Sequence, residues 1–424
     1  MGIRDTLKIG SFGGQKNTNH NPDELMQTRD TEDTIQYNLV EEIFQKAIDL
    51  GGSDIHFEPN ESNITIRIRV DGHFITTDRI ALSQKSAIVA RIKIMASLKI
   101  DEQRLPQDGK AIYKDTNGGE IDLRVSIMPN IYGEKVVIRI LKKESSLLDL
   151  RSVGILPMNM IKIRKHLDNS NGLILVVGPT GSGKSTTLYS MLSTYNPEEN
   201  NISTLEDPVE YRMAGVNHSQ IHPAIGFDFA DGLRSLLRQD PDIIMVGEIR
   251  DAQTAHLAVE ASITGHLVFS TIHANSTVNT IQRLVNLGID PLLLVSALKL
   301  VISQRLARKL CMHCRIPYEP EAAIREKIVS RVGKYMSNKE HFKIYKANPE
   351  GCEHCKHKGY KGRTGFFEIL EITEGVEKLI LAKASKTQIE IQAIGDGMIH
   401  IKDDALIKVI LGEVSLEEVL QVLG

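Results

Sequence analysis

The stretch "GPTGSGKSTT", Gly178 to Thr187, meets the pattern G-x-x-x-x-G-K-[ST]. Its glycines let the backbone curl until N–H groups face a phosphate. Lys184 offers a cation to the β- and γ-phosphates, and Ser185 a hydroxyl to Mg2+. A helix starting near Lys184 would add its positive end. Gly178, Pro179, Thr180, Gly181, Ser182, Gly183, Lys184, Ser185 and Thr186 are therefore the expected cradle for a nucleoside triphosphate.

Hydrolysis needs one carboxylate near the metal and one near the attacking water. Two acidic strand ends meet that need. Apolar Ile243 to Val246 lead to Gly247 and Glu248, and "ISTLEDPVEY" ends in Glu206, with Asp207 and Glu210 beyond it. Asp242 begins its strand and is the weaker candidate. Each acid alone reads equally well as a helix cap or a solvated turn; beside a phosphate loop the pair reads as catalytic. "TGHLVFSTIHAN" sets His266 and His273 on either side of an apolar strand. They read either as structural or as contacts to the γ-phosphate or a neighbouring subunit.

All four cysteines fall in two Cys-x-x-Cys pairs, Cys311/Cys314 and Cys352/Cys355, with 37 residues between. Four thiolates so paired make a closed tetrahedral Zn2+ site. Redox dithiols and plain buried thiols are the alternatives. The interval is longer than a zinc ribbon's and predicts a helix within "AAIREKIVSRVGKYM". His313, His354 and His357 are nearby competitors as ligands. The basic string "CKHKGYKGR" reads as solvated surface rather than a nucleic-acid patch.

The elements that must position these groups follow from periodicity. The 424 residues are enough for two or three domains, at 41% hydrophobic and 25% charged. A net charge of −3 gives no strong field towards nucleic acid or membrane. No apolar run approaches the roughly 20 residues that span a bilayer, so a cytoplasmic chain touching membranes only through a partner is expected. Residues 1–34 are polar and read as a flexible tail. Residues 35–143 read as an α+β domain: an amphipathic helix with Leu39, Val40, Ile43, Phe44, Ala47 and Ile48, stopped by Gly51 and Gly52, then strands alternating with period two. Residues 144–156 read as a linker. Residues 157–424 alternate strand and helix, the pattern of a parallel α/β sheet, with the cysteine region at 308–360.

Taken together, these boxes resemble the secretion ATPase superfamily of type II secretion and type IV pilus assembly. The resemblance is carried by "GPTGSGKSTT", "STLEDPVEY", "LLRQDPDIIMVGEIRD" and "TGHLVFSTIHAN". It extends to "GSDIHFEP", "RLPQDGKA" and "DLRVSIMP" in the first domain and to the cysteine pairs, covering about 35 to 424. It implies a RecA-like P-loop domain with a smaller PAS-like α+β domain and a tetracysteine zinc-binding insertion. It implies a homohexamer that hydrolyses ATP with Mg2+, sits in the cytoplasm at the inner membrane on a platform protein, and drives assembly of pilin-like subunits. By match to the family's boxes, Glu206 and Glu248 are the catalytic acids, with Glu248 the general base. His266 and His273 form the histidine pair, and Arg234 and Arg238 match the arginines near the nucleotide. The family's first domain supplies arginines, for which Arg124 leads, then Arg104, then Arg139; on the residues alone, an Arg on a strand's polar face reads as solvated. The tetracysteine site points to assembly rather than retraction.

Two departures stand out. Only about 35 residues precede the first helix, where many relatives carry a further N-terminal domain, so a short form or an incomplete chain is expected. Lys110 follows "PQDG" where the family often has Arg, keeping charge but losing the bidentate fork. The competing readings are a nucleic-acid translocase on the same core, which the net charge and the lack of stacking aromatics disfavour, and an ATP-binding regulatory module without turnover.

Overall fold

A computed structural model describes residues 39–116, 118–141 and 149–424. The tail at 1–34 and the first part of the linker, 144–148, lie outside the described residues. The chain divides into two compact units after Leu141.

The first unit holds strands β1 (Gly52–Pro59), β2 (Asn63–Val70), β3 (His73–Ala81), β4 (Gln107–Lys114), β5 (Glu120–Asn130) and β6 (Gly133–Leu141). They form one antiparallel sheet in the order β3-β2-β1-β6-β5-β4. Period-two alternation sends Ile64, Ile66, Ile68 and Val70 to one face and Thr65, Arg67 and Arg69 to the other. A helix over 39–49 (α1) and α2 (Lys85–Met95) pack on the apolar face, burying Val40, Ile43, Phe44, Ile88 and Ile92. Asp71 and Gly72, at φ 49° and 89°, make the tight turn between β2 and β3 that Asp-Gly announces. The polar face is charged. Pairing register aligns Arg69, Asp54, Arg139, Arg124 and Lys110 across five adjacent strands.

The second unit is a seven-stranded sheet. In chain order its strands are β7 (Gly172–Val177), β8 (Ile202–Glu206), β9 (Asn217–Gln220), β10 (Ile243–Ile249), β11 (Leu267–Ile272), β12 (Leu298–Leu310) and β15 (Tyr360–Glu371). Their spatial order is β15-β12-β7-β11-β10-β8-β9, parallel throughout except for β15 against β12. Every residue of β7, β8 and β11 is buried, as strands covered on both faces require. One face packs Leu175 and Val177 against α5 (Phe229–Leu236), α6 (Ala252–Ile263), α7 (Thr277–Asn286) and α8 (Pro291–Ala297). The other packs Ile174 and Val176 against α3 (Pro157–Leu167) and α4 (Lys184–Leu192). Between β12 and β15 lie β13 (Ile316–Tyr318), α9 (Ala322–Val332) and β14 (Ile344–Lys346); α9 is the helix expected between the cysteine pairs. Helices α10 (Glu374–Leu381), α11 (Lys386–Gly395), α12 (Ile401–Ile410) and α13 (Leu416–Leu423) close the chain. Among the described residues, no helix is long and apolar enough to cross a membrane.

Candidate functional site

β7 delivers the chain to Gly178, and α4 begins at Lys184. A methyl carbon on Gly178 (φ 149°) would lie 2.5 Å from the Gln304 carbonyl oxygen and 2.7 Å from Ser182 Oγ. On Gly183 (φ 87°) it would lie 2.9 Å from Gln304 Nε2. Both positions need glycine for conformation and for room. Gln304 on β12 is buried, and its Oε1 accepts from Thr187 Oγ1 at 2.7 Å. Within the loop the Ser182 N–H donates to the Pro179 carbonyl. Ser185 and Thr186 fall in the first turn of α4. Lys184 Nζ donates to the carbonyls of Gly178 (3.0 Å) and Pro179 (3.1 Å). Burial depresses its ammonium pKa; Glu248 opposes that shift and Arg305 adds to it.

Register puts the acid at the same sheet edge. Val177 pairs with Ile272, and Ile272 with Ile249, so Gly178, Glu248 and His273 emerge together. The β10 register breaks between Val246 and Ile249, an irregularity that includes Glu248. His273 Nε2 lies 3.3 Å from the Glu248 carboxylate, and the Arg250 guanidinium donates to it while reaching Asp207 at 4.0 Å. Burial alone would raise the Glu248 pKa, but Arg250 and His273 outweigh it and hold the group below the usual carboxylate range. An ionised, oriented carboxylate near Lys184 can take a proton from water.

Glu206 sits differently. It is buried and accepts from the Tyr189 hydroxyl on α4, from Thr204 Oγ1 at 2.6 Å and from His218 Nδ1 at 2.8 Å on β9. Burial and this carboxylate push the Tyr189 hydroxyl well above its usual range. These bonds tie β8 to α4 and β9.

The structure places His266 away from the phosphate loop of its own chain and leaves only His273 beside Glu248. Leu267 pairs with Gly172, the first residue of β7, and the His266 carbonyl accepts from the Gly172 N–H. His266 and His273 bracket a strand whose two ends lie at opposite sheet edges. At about 3.3 Å per residue they are roughly 23 Å apart. The His266 ring approaches the Ala261 carbonyl at 3.0 Å, at the end of α6. Arg234 pairs with Asp231, and Arg238 donates to the Arg234 carbonyl, both on or just beyond α5. Arg238 precedes the first residue of β10 and so lies towards the edge opposite the phosphate loop. In the first unit, Arg139 Nε bonds Asp54 at 2.9 Å, Arg124 pairs with Arg139 and Lys110 across the sheet, and Arg104 is exposed beside Glu102.

The cysteines converge. All four Sγ atoms lie within 4.8 Å of one another, with contacts of 3.7 Å (Cys311–Cys352), 3.8 Å (Cys314–Cys355) and 3.8 Å (Cys352–Cys355). A tetrahedron of Zn–S bonds near 2.3 Å has edges of about 3.8 Å, so this donor set fits zinc. The N–H groups of Cys352 and Gly359 donate to Cys355 Sγ, each at 3.2 Å. Burial raises the Cys355 thiol, but these N–H groups outweigh it and hold it at about 6; burial and its sulfur neighbours push Cys314 up to about 12. The rings of His313 and His354 stack on each other at 3.9 Å, each inside a Cys-x-x-Cys pair.

Sequence reasoning missed Gln304, Arg305, Tyr189 and His218. Gln304 and Arg305 reach the loop only because Ser303 pairs with Val177 in the sheet. No motif marks them.

Comparison with known proteins agrees with this arrangement. The profile of the family described as type II/IV secretion system protein matches residues 29–421. The chain belongs to that family. It is 42% identical over 404 residues to the type IV pilus assembly ATPase PilB of Myxococcus xanthus, covering 95% of this chain and 70% of that protein. It is 44% identical over 402 residues to the type II secretion system ATPase E of Vibrio cholerae, covering 94% of this chain and 77% of that one. The X-ray structure of the Legionella pneumophila ATPase DotB superposes with a TM-score of 0.64 at 20% identity, over 89% of this chain and 93% of that one, a likeness of fold. The family membership and this fold agree with the α/β P-loop fold that the resemblance implies.

Proposed function

We propose that this secretion-family chain is a motor that hydrolyses ATP to drive assembly of a type IV pilus or a type II secretion pseudopilus. The observation that carries the reading is the single sheet edge shared by Gly178, Lys184, Glu248 and His273. Lys184 and the loop N–H groups hold the triphosphate, and Ser185 is the hydroxyl for Mg2+, which offsets phosphate charge when bound. Glu248, kept ionised by Arg250 and His273, orients water and takes its proton. The new O–P bond forms at the γ-phosphorus as the bond to the bridging oxygen breaks, and the electron pair leaves with ADP. Glu206 supports this edge by fixing β8 to α4. Cys311, Cys314, Cys352 and Cys355 hold a structural zinc ion, a feature that favours an assembly motor over a retraction motor.

The working particle is a homohexamer in the cytoplasm, docked on an inner-membrane platform protein. Residues 35–143 serve as the domain that lends arginines, Arg124 first and Arg104 and Arg139 behind it, and residues 157–424 as the ATPase core. His266, at the sheet edge opposite its own chain's loop, acts towards a neighbouring subunit, and Arg234 and Arg238 are the arginines assigned to the nucleotide. Turnover per chain should rise steeply with protein concentration as the ring forms. Arg124→Ala should cut turnover in the ring with nucleotide affinity unchanged. Full activity from a monomer at high dilution, or wild-type turnover in Arg124→Ala, would discard this reading.

A further inference from the structure

Arg305 has no place in the chemistry above, yet its guanidinium lies against the phosphate loop. β12 runs parallel to β7, and after the Ser303–Val177 pair it carries Gln304 and Arg305 alongside Gly178. A methyl carbon on Gly178 would sit 3.3 Å from Arg305 Nη1. Nη1 donates to the Gln304 carbonyl and Nη2 to the Asn275 carbonyl, each at 3.0 Å. Among the described residues, none of its ion pairs closes within 4.0 Å, Glu368 acting only from farther off. The guanidinium is half-buried and close enough to Lys184 to disfavour that lysine's charge. Two neighbouring cations partly withdrawn from water, with Glu248 acting on the lysine and Glu368 on the arginine only from a distance, remain costly until an anion arrives. A guanidinium bonded to two carbonyls still has N–H groups free for phosphate oxygens.

We propose that Arg305 is a second cation for the γ-phosphate, supplied by the same chain. Through Asn275 it also tethers the loop that presents His273 to Glu248. The inference rests on the triphosphate reading of the site. A γ-phosphate oxygen on Arg305 fixes the guanidinium, and the guanidinium fixes the Asn275 carbonyl two residues beyond His273. The diphosphate lacks that oxygen, so Arg305 makes the site distinguish ATP from ADP.

The test measures affinity of the full chain for a non-hydrolysable ATP analogue and for ADP by calorimetry, in wild type, Arg305→Ala and Arg305→Lys. Arg305→Ala should weaken the analogue by about tenfold or more, the size of a lost charge-assisted bond, and ADP by less than about threefold. Arg305→Lys keeps the charge but cannot hold phosphate and Asn275 together. It should retain most of the preference for the analogue while turnover falls by about tenfold or more. If Arg305→Ala does not fold, the lysine variant alone decides: wild-type turnover in it overturns the assignment. Equal losses for both nucleotides, or no loss, also overturn it. A wild-type chain that binds neither nucleotide would instead sink the triphosphate reading itself.

Discussion

Removing the metal from the thiolate cluster has a magnitude that can be worked from the chain. Cys311 and Cys352 close a loop of 42 residues that contains β13, α9 and β14. A cross-link closing a loop of that length restricts the unfolded chain by about 4 kcal/mol. At roughly 2–4 °C per kcal/mol for a unit of this size, losing it lowers the melting midpoint by roughly 8–16 °C. The closing atoms sit beyond the ends of β12 and β15, where the Cys311 N–H bonds the Gly359 carbonyl, so the loss falls on that end of the unit first. The assay pairs elemental analysis with scanning calorimetry on protein purified without chelator, on the same protein after a strong zinc chelator, and on a Cys311→Ser/Cys352→Ser variant. One zinc per chain, a midpoint that drops on chelation and recovers with added Zn2+, and a variant that melts low and ignores Zn2+ are expected. Zinc-free protein as purified, or a variant melting within about 2 °C of wild type, would refute the reasoning.

Other outcomes follow from the same contacts. Glu248→Gln should lower turnover by about 10²–10⁴-fold while a non-hydrolysable ATP analogue binds within a few-fold of wild type, as measured by steady-state rates and calorimetry. Arg250 and His273 hold the Glu248 carboxyl below its usual range, so activity should persist to a pH below about 4.3 wherever the fold survives, being lost only as pH falls through the lowered value. Arg250→Ala should move that acid limb upward in a pH–rate profile; an unmoved limb would show that Arg250 does not set it. Tyr189→Phe removes a donor from buried Glu206 and should cost about 1–3 kcal/mol by urea unfolding, with little change in nucleotide affinity.

What could be read from sequence was the chemistry written in contiguous residues. The phosphate loop is one turn and its strand and helix flank it, so its geometry is local. The cysteine pairs announce a shared site because Cys-x-x-Cys spacing places two sulfurs on one centre. Strand period two was equally plain in β2, where Ile and Arg alternate. Tertiary register was not legible. "PLLLVSALKLVI" is an unbroken apolar run, and nothing in it says that α8 ends at Ala297 and β12 begins at Leu298. Gln304 and Arg305 therefore went unremarked, since only the pairing of β12 with β7 brings them to Gly178. The same cause separates His266 from His273: their spacing suggests a pair, whereas a parallel strand sends its ends to opposite edges. Glu206 was legible as an acidic strand end, but its partners Tyr189 and His218 lie on other elements.

β12 runs unbroken past the phosphate loop to Leu310, one residue short of Cys311, paired with β7 at its start and with β15 along most of its length. Extended backbone hydrogen-bonded to its neighbours has almost no slack, and Arg305 and Cys311 are only about 20 Å apart along it. Such a ribbon is inextensible. A push or pull at the nucleotide end must arrive at the cysteine knuckles as a displacement of similar size, unless the irregular pairing between Arg308 and Leu310 absorbs it. The knuckles therefore anchor the distal end of a strut as well as closing a loop.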